Sequence, residues 1–131
     1  MNPIILGSLI LAACAPKAQG SSAGQLAMGE RAYQKCYSCH ALEAGRNDLS
    51  GPTLYNIVGR AIAAEPGVDY SPAMRSFAKR EQRWDRNLLD KFIADPEGVV
   101  PGTSMTFHGI VDPAERAALI AYLKQGRPAS R

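Results

Sequence analysis

The feature that most constrains this chain is the run Cys36-Tyr37-Ser38-Cys39-His40, which reads C-x-x-C-H. This spacing is the attachment signature of a c-type haem. Its two thiols can each add to one vinyl group of the porphyrin, and the histidine that follows can place an imidazole nitrogen on the iron. Because a haem is a large apolar group, we expect the rest of the chain to fold around it as one small domain.

Size and composition agree with a single small domain. The chain has 131 residues, of which 46% are hydrophobic, so a small core is possible and a buried haem would form much of it. Helical spacing of apolar residues recurs, and no alternating run predicts a strand, so we predict an all-α fold. The formal charge of +3 is too small to indicate binding to nucleic acid.

The N-terminal segment predicts export. Residues 4–13 form an apolar run that is too short to span a bilayer as a helix, which takes about 20 residues, and that suits a secretory signal. Residues 11–14, Leu-Ala-Ala-Cys, resemble the bacterial lipoprotein box, although no Lys or Arg precedes the run. We predict a lipoprotein signal peptide over residues 1–13 and lipidation of Cys14. The alternative is ordinary cleavage near residues 18–20, which would leave a soluble periplasmic protein.

The remaining boundaries follow from composition. Residues 14–24 are rich in Ala, Gly and Ser and predict a flexible, lipid-anchored linker. Residues 25–126 form the expected haem domain, and residues 127–131 form a C-terminal tail. A lipid anchor would hold this domain on the periplasmic side of a bacterial membrane, where c-type haem is attached.

Two helices are the clearest local predictions. The first is expected to begin at Ser21 or Ser22 and to run directly into the haem motif. Gly29 lies on its apolar face, where a glycine is explained if another helix crosses closely. The last helix has Asp112 as its N-cap and Gly126 just beyond its end.

A second axial ligand for the iron is expected from Met105. This methionine lies in an irregular Pro-Gly loop, and its thioether suits haem iron, where His/Met ligation raises the reduction potential. His108 is the rival ligand, whereas Met74 has a simpler explanation as a core residue. The carbonyl of Pro52 could accept the other N–H of His40 and orient its ring, although Gly-Pro is more often only a turn.

Other interpretations of C-x-x-C fit less well. A thioredoxin-like redox pair needs a strand–turn–helix context, which the sequence does not predict. A zinc site needs four ligands, and the chain has too few cysteines and histidines to supply them.

Motifs spread over most of the chain resemble class I cytochrome c, in particular the mitochondrial type and its short bacterial counterparts. The resemblance is carried by Gly29-Glu30-x-x-Tyr33-x-Lys35-Cys36-x-x-Cys39-His40, Gly51-Pro52-x-Leu54, Val58-Gly59-Arg60, Tyr70-Ser71-x-Ala73, Trp84 and Pro101-Gly102-Thr103-x-Met105-x-Phe107. It implies about four to five helices around one covalently bound haem c, with the N- and C-terminal helices crossing. It also implies a set of pocket residues: Arg60, Tyr70 and Trp84 at the haem propionates, Thr103 close to them, and Leu54 and Phe107 along the pocket.

Two departures from this family pattern affect the expected function. Phe92 occupies the position of a tyrosine that bonds the methionine sulfur in the mitochondrial type, so the reduction potential should differ. Most of the lysines that surround the exposed haem edge in that type are missing, although Lys35 remains. We therefore expect weaker electrostatic docking, for which a membrane tether could compensate.

The expected function is one-electron transport in a respiratory or photosynthetic chain, without enzymatic activity or catalytic residues. The resemblance implies a quinol-oxidising cytochrome bc complex as donor. The acceptor would be a terminal oxidase, a photosynthetic reaction centre or a reductase. Two alternatives remain open: a haem enzyme or ligand sensor with a labile Met ligand, and a cytochrome subunit of a larger dehydrogenase.

Overall fold

The computed structural model describes residues 22–126, and these residues form five helices and no strand. The helices are α1 (Ser22–Tyr33), α2 (Pro72–Phe77), α3 (Arg86–Ala94), α4 (Pro96–Val99) and α5 (Pro113–Gln125). The predicted all-α fold of four to five helices is therefore confirmed.

Several predicted segments lie outside the described residues. They are the signal peptide (1–13), the lipidation site Cys14 and the tail (127–131). The same holds for the predicted linker (14–24), except for Ser22, Ala23 and Gly24. These three residues belong to α1, which begins at Ser22.

Helices α1 and α5 cross in close contact at Gly29. A Cβ atom added there would lie 2.2 Å from the carbonyl oxygen of Ala118 and 2.6 Å from the Cβ of Tyr122. Only a glycine lets the two backbones approach this closely. The crossing predicted from Gly29 is therefore present. At the start of α5 the side chain of Asp112 accepts a hydrogen bond from the backbone N–H of Ala114, at 2.9 Å, as expected of an N-cap.

The haem motif follows α1 but is not part of it. The helix ends at Tyr33, which corrects the expectation that it runs directly into the motif. Hydrogen-bonded turns continue the path: the N–H of Tyr37 donates to the carbonyl of Tyr33, at 3.1 Å, and the N–H of His40 to that of Cys36, at 2.9 Å. The hydroxyl of Tyr33 also donates to the carbonyl of His40, at 2.6 Å. These bonds fix the motif against the end of the helix.

Residues 41–71 have no helix, and side-chain hydrogen bonds supplement the turn and bridge hydrogen bonds of their backbone. Thr53 is 1% exposed, and its hydroxyl lies 2.7 Å from the carbonyl of Glu43 and 3.2 Å from that of Ala41. The same hydroxyl oxygen accepts from the N–H of Tyr55, at 3.1 Å. A buried threonine therefore organises a segment that has no regular hydrogen-bonding ladder.

A short antiparallel pairing joins this segment to the start of α3. Ala61 and Arg83 form an isolated β-bridge, and Trp84 exchanges backbone hydrogen bonds with Gly59 and Arg60, at 2.7 and 3.0 Å. This pairing brings Arg60 next to Trp84. Among the described helices, none is long and apolar enough to span a membrane.

Candidate haem site

A cavity of about 420 Å³ opens beside the C-x-x-C-H motif. Its walls come from the motif, from the loops on both sides of α2, from α3 and from the loop before α5. All the pocket residues and iron ligands predicted from the sequence line this one cavity: Cys36, Cys39, His40, Pro52, Leu54, Arg60, Tyr70, Trp84, Thr103, Met105 and Phe107. Cys14 lies outside the described residues.

The two thiols of the motif differ in environment. Cys36 is half-buried, and burial raises the pKa of its thiol to about 11, with Cys39 adding to the rise and Lys35 opposing it. Cys39 is exposed, and hydrogen bonds first with Ser50 and then with Ser38 lower its pKa. Both cysteines line the same cavity, so both sulfur atoms are available to one bound group.

The ring of His40 is oriented by a hydrogen bond to the backbone. Its Nδ1 lies 2.6 Å from the carbonyl oxygen of Pro52. Since a carbonyl can only accept, Nδ1 carries the proton and Nε2 keeps its lone pair. Burial lowers the pKa of the imidazole, and the charge of Arg60 lowers it further, against the opposing effect of the Pro52 hydrogen bond. A neutral histidine with a free Nε2 is the form that binds iron.

Gly51 is a site residue that sequence reasoning did not single out. A Cβ atom at this position would lie 2.4 Å from Cε1 of the His40 ring, so the loop can pack against the imidazole only with a glycine here. From the sequence alone, Gly51 and Pro52 could be interpreted as an ordinary turn. Only the contact with the histidine identifies what the glycine does.

Hydrogen bonds within its own loop fix the backbone of Met105. Its backbone N–H donates to the hydroxyl of Thr103, at 3.3 Å, and the N–H of Thr103 donates to the carbonyl of Val100, at 2.9 Å. Met105 is half-buried and packs against the hydrophobic core, whereas His108 is exposed and lies outside the cavity lining. The cavity therefore brings together His40 and Met105, and not the rival histidine.

The polar part of the lining contains Arg60 and Tyr70. The Nη1 of Arg60 donates to the carbonyl of Tyr55, at 3.1 Å, and to the carboxylate of Glu65, at 3.2 Å. The hydroxyl of Tyr70 accepts from the backbone N–H of Glu65, at 3.2 Å. Burial raises the pKa of Tyr70, while this hydrogen bond opposes the rise. These groups lie together, as a site for propionates requires.

The apolar part of the lining is larger than the sequence predicted. Trp84 packs on Phe92 with ring centroids 4.9 Å apart, and both rings line the cavity. Further apolar lining residues lie in the helix-free segment and on α2, α3 and α5: Ile57, Met74, Leu89, Ile93, Leu119 and Leu123. Periodicity identifies an inward face but not whether a neighbour or a bound group covers it. Two thiols, a neutral imidazole, a thioether and an apolar wall together fit a covalently attached haem.

Lys35 is engaged within the chain. Its Nζ lies 2.5 Å from a carboxylate oxygen of Glu115 on α5, and its side chain is 47% exposed. The basic group expected to guide docking is therefore partly neutralised by an ion pair that ties the haem motif to the last helix.

Comparison with known proteins gives a consistent result. The family model "Cytochrome c" matches residues 26–127. Cytochrome c2 iso-2 of Magnetospirillum fulvum is 43% identical over 93 residues, covering 71% of this chain and 93% of the relative. Cytochrome c2 of Rhodomicrobium vannielii is 35% identical over 116 residues, covering 88% and 90%. The solved structure of cytochrome cH from Methylobacterium extorquens superposes with a TM-score of 0.69 at 38% identity, covering 76% of this chain and 97% of that one.

Proposed function

The chain belongs to the cytochrome c family and is an electron carrier with one covalently attached c-type haem, and we propose that His40 and Met105 are the axial ligands of its iron. The bound haem supplies a one-electron couple between ferrous and ferric iron. One observation carries the proposal: His40, with Nδ1 held 2.6 Å from the Pro52 carbonyl, lines the same cavity as Met105 and the two cysteines.

Each residue in this proposal has one task. Cys36 and Cys39 hold the cofactor through thioether bonds. Nε2 of His40 keeps the lone pair that an iron ligand needs, because its Nδ1 is committed to Pro52. The thioether of Met105 is a soft ligand that favours a high reduction potential.

The remaining lining residues control the environment of the cofactor. Arg60, Tyr70 and Trp84 are proposed to contact the propionates, because a guanidinium, a hydroxyl and an indole N–H can all donate to a carboxylate. Thr103 keeps the Met105 loop in place through its 3.3 Å hydrogen bond. Leu54 and Phe107 cover the apolar faces and exclude water, which limits solvent reorganisation during electron transfer.

Electrons are proposed to enter and leave through the edge near Phe107 and His108. Phe107 lines the cavity and is half-buried, while the neighbouring His108 is exposed. Lys35 contributes less to docking here than a free lysine would, because Glu115 pairs with it. A partner that docks at this edge would rely on apolar contact more than on charge.

We assign the carrier to a respiratory or photosynthetic chain on the periplasmic side of a bacterial membrane. The proposed donor is a quinol-oxidising cytochrome bc complex. The proposed acceptor is a terminal oxidase, a photosynthetic reaction centre or a reductase. Support comes from the cytochrome c2 relatives and from the export signal predicted from the sequence. Lipidation of Cys14 would keep the carrier at the membrane and raise its effective concentration near its partners.

The ligand proposal is tested by a pair of methionine variants. Met105 and Met74 both line the cavity and are both half-buried, so they form a matched pair. Met105→Ala should abolish the weak far-red absorption band of an iron–thioether bond in the ferric protein, and Met74→Ala should keep it. A band that survives in Met105→Ala, or that disappears only in Met74→Ala, would contradict the assignment.

Carbon monoxide distinguishes a carrier from a ligand-binding haem protein. With both axial positions filled, the ferrous wild-type protein should bind carbon monoxide poorly, and Met105→Ala should bind it readily. Ready binding by the wild type would refute the carrier proposal and favour a sensor or an enzyme.

The anchor is tested by fractionation of cells that express the full chain. The wild type should sediment with membranes and enter the detergent phase. Cys14→Ser should appear in the soluble periplasmic fraction, with its haem absorption unchanged. A variant that stays in the membrane fraction would overturn the lipid anchor and leave the haem site unaffected.

A further inference from the structure

Behind the polar part of the haem cavity lies a carboxylate with both oxygens engaged. One oxygen of Glu65 accepts from Nη1 of Arg60, at 3.2 Å, and the other accepts from Nδ2 of Asn47, at 2.9 Å. The side chains of Arg60 and Glu65 are only 16% and 12% exposed. A pair this sheltered from water interacts far more strongly than an exposed pair does.

The hydrogen bonds fix the guanidinium at the cavity wall. Arg60 lines the cavity, whereas Glu65 does not, so the carboxylate supports the arginine from behind. Nη1 of Arg60 is also bound to the carbonyl of Tyr55. Asn47 in turn accepts from the N–H of Thr53, at 2.9 Å, which connects Glu65 to the loop that orients His40.

The charge of Arg60 acts on the centre of the site. Arg60 lines the same cavity as His40, the proposed iron ligand. A positive charge at the cavity wall disfavours the more positive, ferric state of an iron bound there. The positive charge of Arg60 by itself should therefore raise the reduction potential of the haem. A carboxylate that pairs with Arg60 should lower that potential again.

We propose that Glu65 is a positioning residue that aims the Arg60 guanidinium into the haem cavity and, by partly neutralising its charge, lowers the reduction potential of the bound haem. This inference rests on the proposed electron-carrier function. It assigns no contact between Glu65 and the cofactor, since Glu65 acts through Arg60.

A second carboxylate near the cavity provides the matched control. Asp69 lies on the cavity rim and pairs with Arg75 at 3.0 Å, but the side chains of Asp69 and Arg75 are 99% and 54% exposed. Glu65→Gln and Asp69→Asn remove the same charge with almost no change in shape. Only Glu65→Gln removes a charge that lies in a sheltered place, where solvent screens it much less.

The test is a spectroelectrochemical titration of the holoprotein. Glu65→Gln should increase the ferrous-to-ferric ratio at a fixed applied potential about tenfold. For a one-electron couple this corresponds to a rise of about 59 mV in the reduction potential. Asp69→Asn should change the ratio far less. An unchanged ratio in Glu65→Gln, or an equal change in both variants, would overturn the inference. A wild type without a reversible one-electron couple would instead refute the proposed function.

A charge-cancelling variant distinguishes electrostatics from mere structural support. Arg60→Gln should lower the ferrous-to-ferric ratio, and Arg60→Gln/Glu65→Gln, which removes both charges, should return it towards the wild-type value. If the double variant lies no nearer to the wild type than the single ones, Glu65 does not act through the charge of Arg60. Guanidinium-chloride unfolding of the four proteins gives a second reading: non-additive losses of stability support the pairing, and additive losses contradict it.

Discussion

The crossing of α1 with α5 and the helix-free segment 41–71 hold the same haem motif by different physical means. At the crossing, two regular helices touch because Gly29 has no side chain, and Tyr33 at the end of α1 packs on Tyr122 of α5 with ring centroids 6.0 Å apart. In the segment, the backbone has no ladder, and side-chain hydrogen bonds from Thr53 and Asn47 fix its path.

This difference predicts which kind of substitution each region tolerates. The crossing should be sensitive to added volume and insensitive to the loss of single polar groups. The segment should be sensitive to the loss of a buried hydroxyl or amide, because each one makes several hydrogen bonds to the backbone and its loss would leave buried polar groups unsatisfied. Substitutions in both regions can therefore test the comparison.

The largest effect is expected from Gly29→Ala. The new methyl group would lie 2.2 Å from the carbonyl oxygen of Ala118, so the helices must move apart, at a cost of about 3 kcal/mol. Gly45→Ala is the loop control: nothing lies within 4 Å, but its φ of +69° is unfavourable for alanine and should cost about 1 kcal/mol. Guanidinium-chloride unfolding measures both. Equal losses would mean that close packing does not control the crossing.

An intermediate effect is expected from Thr53→Val. Valine keeps the shape of the side chain but removes the hydroxyl that binds the carbonyl of Glu43 at 2.7 Å, so the free energy of unfolding should fall by about 2 kcal/mol. Ser76→Ala, which removes a hydroxyl at an exposed position of α2 outside the cavity, serves as the control and should change stability little. Thermal unfolding of the two holoproteins measures the difference. If Thr53→Val is as stable as the wild type, the segment does not depend on this hydroxyl.

The smallest effect is expected from Glu115→Gln, which breaks the ion pair between Lys35 and α5. Because the pair is partly exposed, the loss should be about 0.5 kcal/mol and should shrink at high salt. Glu30→Gln, an exposed change on α1, should have no measurable effect. A loss that is large or independent of salt would mean that this ion pair, and not only the packing at Gly29, holds α5 in place.

Sequence reasoning succeeded where the chemistry is local. The spacing of Cys36, Cys39 and His40 indicated the cofactor, and the helix signals at Gly29 and Asp112 marked the crossing and the start of α5. It was less accurate at one boundary. α1 begins at Ser22, one of the two predicted starts, but it ends at Tyr33, before the motif, because tertiary contacts, not propensity, decide where terminal turns stop.

Other site residues had no local signal. Gly51 looks like part of a turn, and its role depends on the ring of His40, which packs against it. Glu65 looks like one acidic residue in a loop, and no regular backbone period places its side chain against Arg60 and Asn47. Such residues are recognisable only after the loops have been brought together.

The sequence by itself determined the covalent chemistry and the helical class, because a thiol spacing and an apolar period are properties of consecutive residues. Only the tertiary structure decided that Met105, and not His108, lies on the cavity with His40, that Lys35 is paired with Glu115, and that Glu65 supports Arg60. The first two bring together residues far apart in the chain, and the third joins residues of a loop that has no regular backbone period. Their distances depend on how the loops close around the cavity, which no local pattern encodes.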